Sequence, residues 1–251
     1  MPSGVVEQVA ELVKAVLTPE PEVEAVFLSG SYAAGAEAPD SDIDFTVLTE
    51  HHDAHTPIED RLQQVLQADG YTHGVPEYVY SGKRLCVSIV PRPDAEAWID
   101  HVFFSWEELL DYQGFLQHKF IDAVPVLDPL SLLADYQRRL SDYPDDVTRD
   151  VVVHALQHLK EEYLDDWHFR SVFHFAYCLG DVLERVGQAI YACNKRIYSP
   201  PLKRLHRDLP TLEPDISADL ARLASISPAD DLETQRIALA TIVNKLWKAT
   251  P

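Results

Sequence analysis

The residues able to do chemistry concentrate in one stretch of the 251-residue chain, Gly30-Ser31-Tyr32-Ala33-Ala34-Gly35 followed by Ser41-Asp42-Ile43-Asp44-Phe45. Asp42 and Asp44 lie two apart in an alternating segment, so a strand there sends both carboxylates from one face. Carboxylates held that close repel, and a bound divalent cation removes the repulsion. Magnesium takes a few carboxylates and completes its shell with phosphate oxygens and water. Gly30 lets the backbone approach a ligand closely, and the Ser31 hydroxyl with nearby backbone N–H groups can donate to phosphate oxygens. Ser41, at the far end of the same small polar loop, joins them as a nucleotide-binding candidate. A metal-binding pair and a phosphate cradle in one short segment are what in-line phosphoryl or nucleotidyl transfer requires. Taken singly, an Asp-x-Asp is an ordinary solvated strand face and a Gly-Ser an ordinary turn. Their order and spacing after an apolar strand make the signal specific.

The surrounding pattern predicts the elements that must hold these residues. Val5, Val6, Val9, Leu12, Val13, Val16 and Leu17 share a helical face, and Thr18-Pro19-Glu20-Pro21 ends that helix. Val23–Leu28 reads as a buried strand and Asp42–Leu48 as a second, forming a hairpin with a long connecting loop. Ile58–Ala68 reads as a helix. Glu77–Tyr80 and Arg84–Val90 read as strands separated by Ser81-Gly82-Lys83, with Pro91-Arg92-Pro93 closing the sheet. Strand signals stop after Pro125, and amphipathic segments follow at 129–141, 147–167, 170–194, 215–225 and 231–248. The expected fold is α+β, a small mixed-sheet domain over 1–125 and an α-helical bundle domain over 126–251.

The Gly-Ser, spacer, Asp-x-Asp pattern resembles the signature of the DNA polymerase β-type nucleotidyltransferase superfamily. Over nearly its full length the chain is most similar to the kanamycin (aminoglycoside 4′) nucleotidyltransferase family. Glu77-Tyr78 with Gly82-Lys83-Arg84-Leu85-Cys86-Val87-Ser88 resembles that family's third catalytic strand. Glu161-Glu162-Tyr163-Leu164-Asp165-Asp166-Trp167 resembles its Glu-Tyr-x-x-x-Trp helix, and Arg196-Ile197-Tyr198 through Asp208-Leu209-Pro210 a later connection. The resemblance implies that Gly30 and Ser31 hold the β- and γ-phosphates, that Asp42 and Asp44 bind Mg2+, that Glu77 is a further acidic site residue, and that Glu162 is the general base. It implies ATP or another NTP as co-substrate and a homodimer whose sites use both subunits. Three positions depart from the family. Cys86 stands where a third carboxylate is expected, Ala34 where the phosphate loop has a basic residue, and Asp166 where a phosphate-contacting lysine lies. Lys83, Arg84, Lys160 and Lys195 are the candidates to supply the missing positive charge.

With 21 basic and 41 acidic side chains the net charge is −20. Such a surface repels a nucleic-acid backbone and favours a small cationic, hydroxylated acceptor. Glu161, Asp165 and Asp166, beside Glu162, are the expected acceptor-binding residues. The three cysteines are scattered, which disfavours a disulfide framework or a structural zinc site. No apolar run reaches membrane-spanning length and no signal segment is visible, so a cytoplasmic protein is expected. His154 and His158 are four apart, but Ala155 follows His154, and a zinc helix needs a third ligand and usually a Glu there. The Arg149…His154 spacing resembles the RNase motif of HEPN helical domains only at a chance level. Besides transfer to an aminoglycoside-like acceptor, two readings stay open: an antitoxin-type nucleotidyltransferase acting on a protein or tRNA, and a catalytically degenerate nucleotide-binding protein, for which Cys86 speaks.

Overall fold

The computed structural model describes residues 4–72, 75–107, 109–110, 116–164, 172–197, 203–225 and 232–251. Their contacts divide the chain into two compact units, Met1–Val102 with Phe115–Leu140, and Phe103–Gly114 with Ser141–Pro251.

The first unit is built on a six-stranded mixed sheet. Helix α1 (Gly4–Leu17) precedes β1 (Val23–Ser29), the short helix α2 (Gly30–Ala33) and β2 (Ile43–Thr49); then come α3 (His55–Gln63), β3 (Gln67–Thr72), β4 (Val75–Tyr80), β5 (Lys83–Pro91) and α4 (Arg92–His101). A π-helical turn (Gln117–Ile121), β6 (Val124–Leu127) and α5 (Leu132–Ser141) complete it. The strand order is β3-β4-β5-β2-β1-β6. β2 and β5 are parallel, with Asp44 opposite Cys86, and the other neighbours are antiparallel. Central β2 is buried along most of its length on both faces, as a strand with a parallel neighbour should be.

One face of the sheet packs on α1 and α3. Val6, Val9, Val13 and Leu17 form the apolar stripe of α1 and meet Ile43, Phe45, Val47, Leu85 and Val87. Burying each such side chain contributes about 1.5–3 kcal/mol before entropy is counted. On another side Phe27 of β1 meets Phe120 edge-on at 6.4 Å, and Phe120 meets Tyr136 of α5 at 5.4 Å. The Gln137 side-chain amide lies 3.0–3.1 Å from the carbonyl oxygens of Phe120, Ile121 and Ala123. α5 therefore pins the π-helical turn through both an edge-on aromatic contact and polar contacts.

The α+β class is as expected, with a mixed sheet and a helical C-terminal part. Two details correct the sequence reading. The helix expected over Ile58–Ala68 ends at Gln63, and Gln67 and Ala68 open β3 instead. β3 has little apolar alternation (Gln67-Ala68-Asp69-Gly70-Tyr71-Thr72) and exists by pairing with β4 at the sheet edge. Strand signal also does not stop at Pro125, because β6 pairs with β1 there. Four residues with an internal proline show no period, yet an edge strand tolerates both.

The second unit is helical where described: α6 (Asp145–Leu159) running into a π-helical turn (Lys160–Leu164), then α7 (Val172–Cys193), α8 (Lys203–Asp208), α9 (Ser217–Ala224) and α10 (Leu232–Ala249). Asp208 is buried and accepts from Tyr191 at 2.6 Å and from Arg207 at 2.6 Å. Among the described residues no helix is long and apolar enough to cross a membrane.

Candidate active site

The site is built where β1 ends and β2 begins. Ser29 pairs with Asp44 across the β1–β2 ladder. Directly after Ser29 the chain turns through Gly30, whose φ is +67°. A Cβ added to Gly30 would lie 2.0 Å from Asp44 Oδ2 and 2.8 Å from its Cγ. This is a physical requirement for glycine: the backbone bend and the carboxylate occupy the space any side chain would need. Ser31 is half-buried in the first turn of α2, and the Ser41 hydroxyl accepts from Ala38 N–H at 2.8 Å, closing the loop that leads to Asp42. Lys83 donates to the Pro39 carbonyl at 2.6 Å and lies 5.9 Å from the Tyr32 ring centroid. It is thus the basic side chain beside the loop from which Ala34 is missing one.

Asp42 lies one residue before β2 rather than within it. Its carboxylate nevertheless converges with that of Asp44 and with the Cys86 thiol, one ligand atom of each falling within 4.8 Å of the others. The register explains the grouping. Asp44, Cys86 and Glu77 form one row across β2, β5 and β4, and cross-strand partners project to the same face. Glu77 is buried. Cys86 Sγ donates to Asp42 Oδ2 at 3.4 Å and lies 3.8 Å from Glu77 Oε1. Burial, then Asp44, Asp42 and Glu77, pushes the Cys86 thiol up to about 12. At neutral pH it is a neutral donor when no ion is present.

Lys119 carries no recognisable sequence pattern. It sits on the π-helical turn, is 8 % exposed, and donates to Ser88 Oγ, two residues along β5 from Cys86. Burial lowers its pKa, while Asp44 and then Cys86 act in the opposite sense. A buried ammonium thus neighbours the acidic row. Nothing short of the tertiary packing of Phe120 and Gln137 would place it there.

The donor chemistry fits a divalent cation at Asp42 and Asp44: two carboxylates converge where two like charges would otherwise repel. The third position fits magnesium poorly, because a hard cation wants oxygen and Cys86 offers sulfur. Glu161 and Glu162 lie on the π-helical turn of the second unit, both exposed. Asp165 and Asp166 lie outside the described residues. Of the remaining basic candidates, Lys195 pairs with Asp145 at 2.5 Å in the second unit. His154 stacks on Trp106 at 3.9 Å, and His158 bonds Asp181 at 2.8 Å. All three cysteines are free thiols.

Residues 9–109 match the family profile described as a nucleotidyltransferase domain. No curated protein matches the chain. Among solved structures, the chain is similar to a nucleotidyltransferase-like protein from Exiguobacterium sibiricum (11 % identity, TM-score 0.43, covering 96 % of this chain and 74 % of that one). It is also similar to the spectinomycin adenyltransferase AAD(9) from Enterococcus faecialis (12 %, 0.38, 98 % and 100 %). A third is an aminoglycoside 6-adenyltransferase from Bacillus subtilis (12 %, 0.32, 99 % and 90 %). Likenesses at this level carry no argument about acceptor or nucleotide, and the match over residues 9–109 is to the nucleotidyltransferase domain in general, not to kanamycin nucleotidyltransferases in particular.

Proposed function

Taking the nucleotidyltransferase domain over residues 9–109 as premise, we propose that the protein transfers a nucleoside monophosphate from an NTP, ATP first among them, to a hydroxyl of a small cationic acceptor, releasing pyrophosphate. The observation that carries this reading is the convergence of Asp42 and Asp44 beside Gly30, whose missing side chain leaves room for the Asp44 carboxylate. Asp42 and Asp44 would hold the divalent ion, Mg2+ in the simplest case. When bound, that ion supplies neutralisation of triphosphate charge.

The chain's own residues do the rest. The loop from Gly30 to Ser41 offers the Ser31 hydroxyl and backbone N–H groups to phosphate oxygens. Lys83, anchored on Pro39 of that loop, adds positive charge beside it. Glu77, buried in the acidic row 3.8 Å from Cys86 Sγ, is the further carboxylate beside the place that Cys86 leaves without one. Glu162 is proposed as the general base that takes the acceptor's proton, a role that needs a carboxylate within hydrogen-bond reach of the hydroxyl. Glu161, with Asp165 and Asp166, would draw in an amine-bearing, aminoglycoside-like acceptor, consistent with the net charge of −20. A homodimer and a cytoplasmic setting belong to the same proposal.

The test is a transfer assay with α-labelled ATP, GTP, CTP and UTP, divalent ion and a panel of amine-bearing and amine-free polyols. Label should reach an acceptor and pyrophosphate should be released, and Asp44→Asn should abolish both while leaving the melting curve intact. Full transfer by Asp44→Asn would reject the assignment of the acidic pair.

A further inference from the structure

We infer that Cys86 is a metal ligand, so that the site prefers a borderline, thiophilic divalent ion of the zinc, cobalt or cadmium kind over magnesium. This rests on the reading of Asp42 and Asp44 as the ion-holding pair and specifies what completes it.

The geometry is that of a three-donor site with mixed atoms. The Asp42, Asp44 and Cys86 ligand atoms lie within 4.8 Å of one another. Three ligands that share an ion at about 2.0–2.3 Å lie roughly 3.3–4.0 Å apart, and the 3.4 Å between Cys86 Sγ and Asp42 Oδ2 already falls in that range. Cys86 is placed by the same β2–β5 register that places Asp44, so the sulfur stands in the ligand row itself. It already points at the pair, with Sγ 3.4 Å from Asp42 Oδ2. Behind it Glu77, 7 % exposed, lies 3.8 Å away. Lys119, close by on Ser88, adds positive charge that offsets the added anion when sulfur binds.

Ligand softness then decides the ion. Thiolate selects zinc-like cations, whereas magnesium seeks an all-oxygen shell. On binding, the Sγ–H bond breaks, the proton leaves to solvent and the sulfur electron pair forms the bond to the ion. No oxidant or reductant is involved.

Cobalt(II) gives a readout independent of turnover. Titrating the metal-free full-length protein with Co2+ should produce visible ligand-field bands together with an intense near-ultraviolet thiolate-to-cobalt charge-transfer band, both saturating at one equivalent. In Cys86→Ser the charge-transfer band should vanish while weaker ligand-field bands persist. In Asp44→Asn both should be lost or strongly weakened. Cys86→Asp should bind Mg2+ and Mn2+ more tightly than the parent, and Cd2+ less tightly. Ligand-field bands without charge transfer in the parent would overturn the thiolate ligand and leave the carboxylate pair standing. A charge-transfer band that survives Cys86→Ser would assign the sulfur elsewhere and overturn the inference. No cobalt spectrum at all would overturn both the inference and the metal-binding role of the pair. Labelled-nucleotide transfer with Mg2+ alone, unchanged in Cys86→Ser, would show the transfer reading correct and the metal preference wrong.

Discussion

Gly30→Ala tests the close approach on which the site depends. Two costs follow from the structure. The residue sits at φ +67°, and a non-glycine residue in that left-handed region costs roughly 1–2 kcal/mol. The new Cβ would lie 2.0 Å from Asp44 Oδ2 and 3.0 Å from Asp44 Cβ, and an overlap of that kind in packed surroundings costs about 1–3 kcal/mol through forced movement. Together the change should destabilise by roughly 2–5 kcal/mol. In a chain of this size that lowers the melting temperature by roughly 4–20 °C. The clash has a specific partner, so a double-mutant cycle isolates it. In an Asp44→Ala background the Oδ2 and Cγ overlaps are gone and only the 3.0 Å approach to Cβ remains, so Gly30→Ala should cost clearly less, close to the backbone part of roughly 1–2 kcal/mol. The single Gly30→Ala should also lose transfer by at least about a hundredfold, because Asp44 must leave its place. Thermal melts of the four proteins, with a transfer assay on the two that keep Asp44, make the measurement. Equal costs of Gly30→Ala in both backgrounds would refute the steric argument, and a parent-like melt of the single variant would refute the geometry altogether.

Three further outcomes are expected. Lys119→Met removes a buried ammonium beside the acidic row and should destabilise the metal-free protein by about 1–3 kcal/mol; the loss should shrink when a divalent ion and ATP are bound, and melts showing a larger loss in their presence would contradict the electrostatic role. Glu162→Gln should lower kcat by about 10²–10⁴-fold with an unchanged melting curve if this carboxylate takes the acceptor proton, and a kcat at the parent level would dismiss it as the base. For Asp208, burial acts to raise the carboxyl pKa but is outweighed by Arg207, Tyr191 and Arg196, which hold it below the ordinary range. A depressed folded value means its contribution is complete above the unfolded pKa of about 4 and is lost as pH falls through the folded value. The stability gap between the parent and Asp208→Asn should therefore be full at neutral pH and close in strong acid, as pH-dependent denaturant melts would show.

The sequence by itself determined the local parts of this protein. The apolar stripe of α1, the buried run of β1, the Gly30–Ser31 bend and the Asp42-x-Asp44 pair are all legible because each is written in neighbouring residues and set by backbone periodicity. The α+β order of a sheet followed by helices was legible for the same reason. Tertiary structure alone decided what depends on pairing between distant segments. The parallel β2–β5 register sets Cys86 opposite Asp44, a partner some forty residues away that no local pattern encodes, whereas Glu77 meets Cys86 across the short β4–β5 hairpin. β3 and β6 leave little trace in the sequence because edge strands draw their stability from hydrogen bonds to a neighbour rather than from an apolar alternation of their own. Lys119 leaves none for a related reason. A lysine reads as solvated surface until Phe120, wedged between Phe27 and Tyr136 and held by Gln137, carries it under the sheet to Ser88. Local chemistry is a property of sequence spacing, whereas the charge and donor atoms that surround it are a property of what the packed chain brings near.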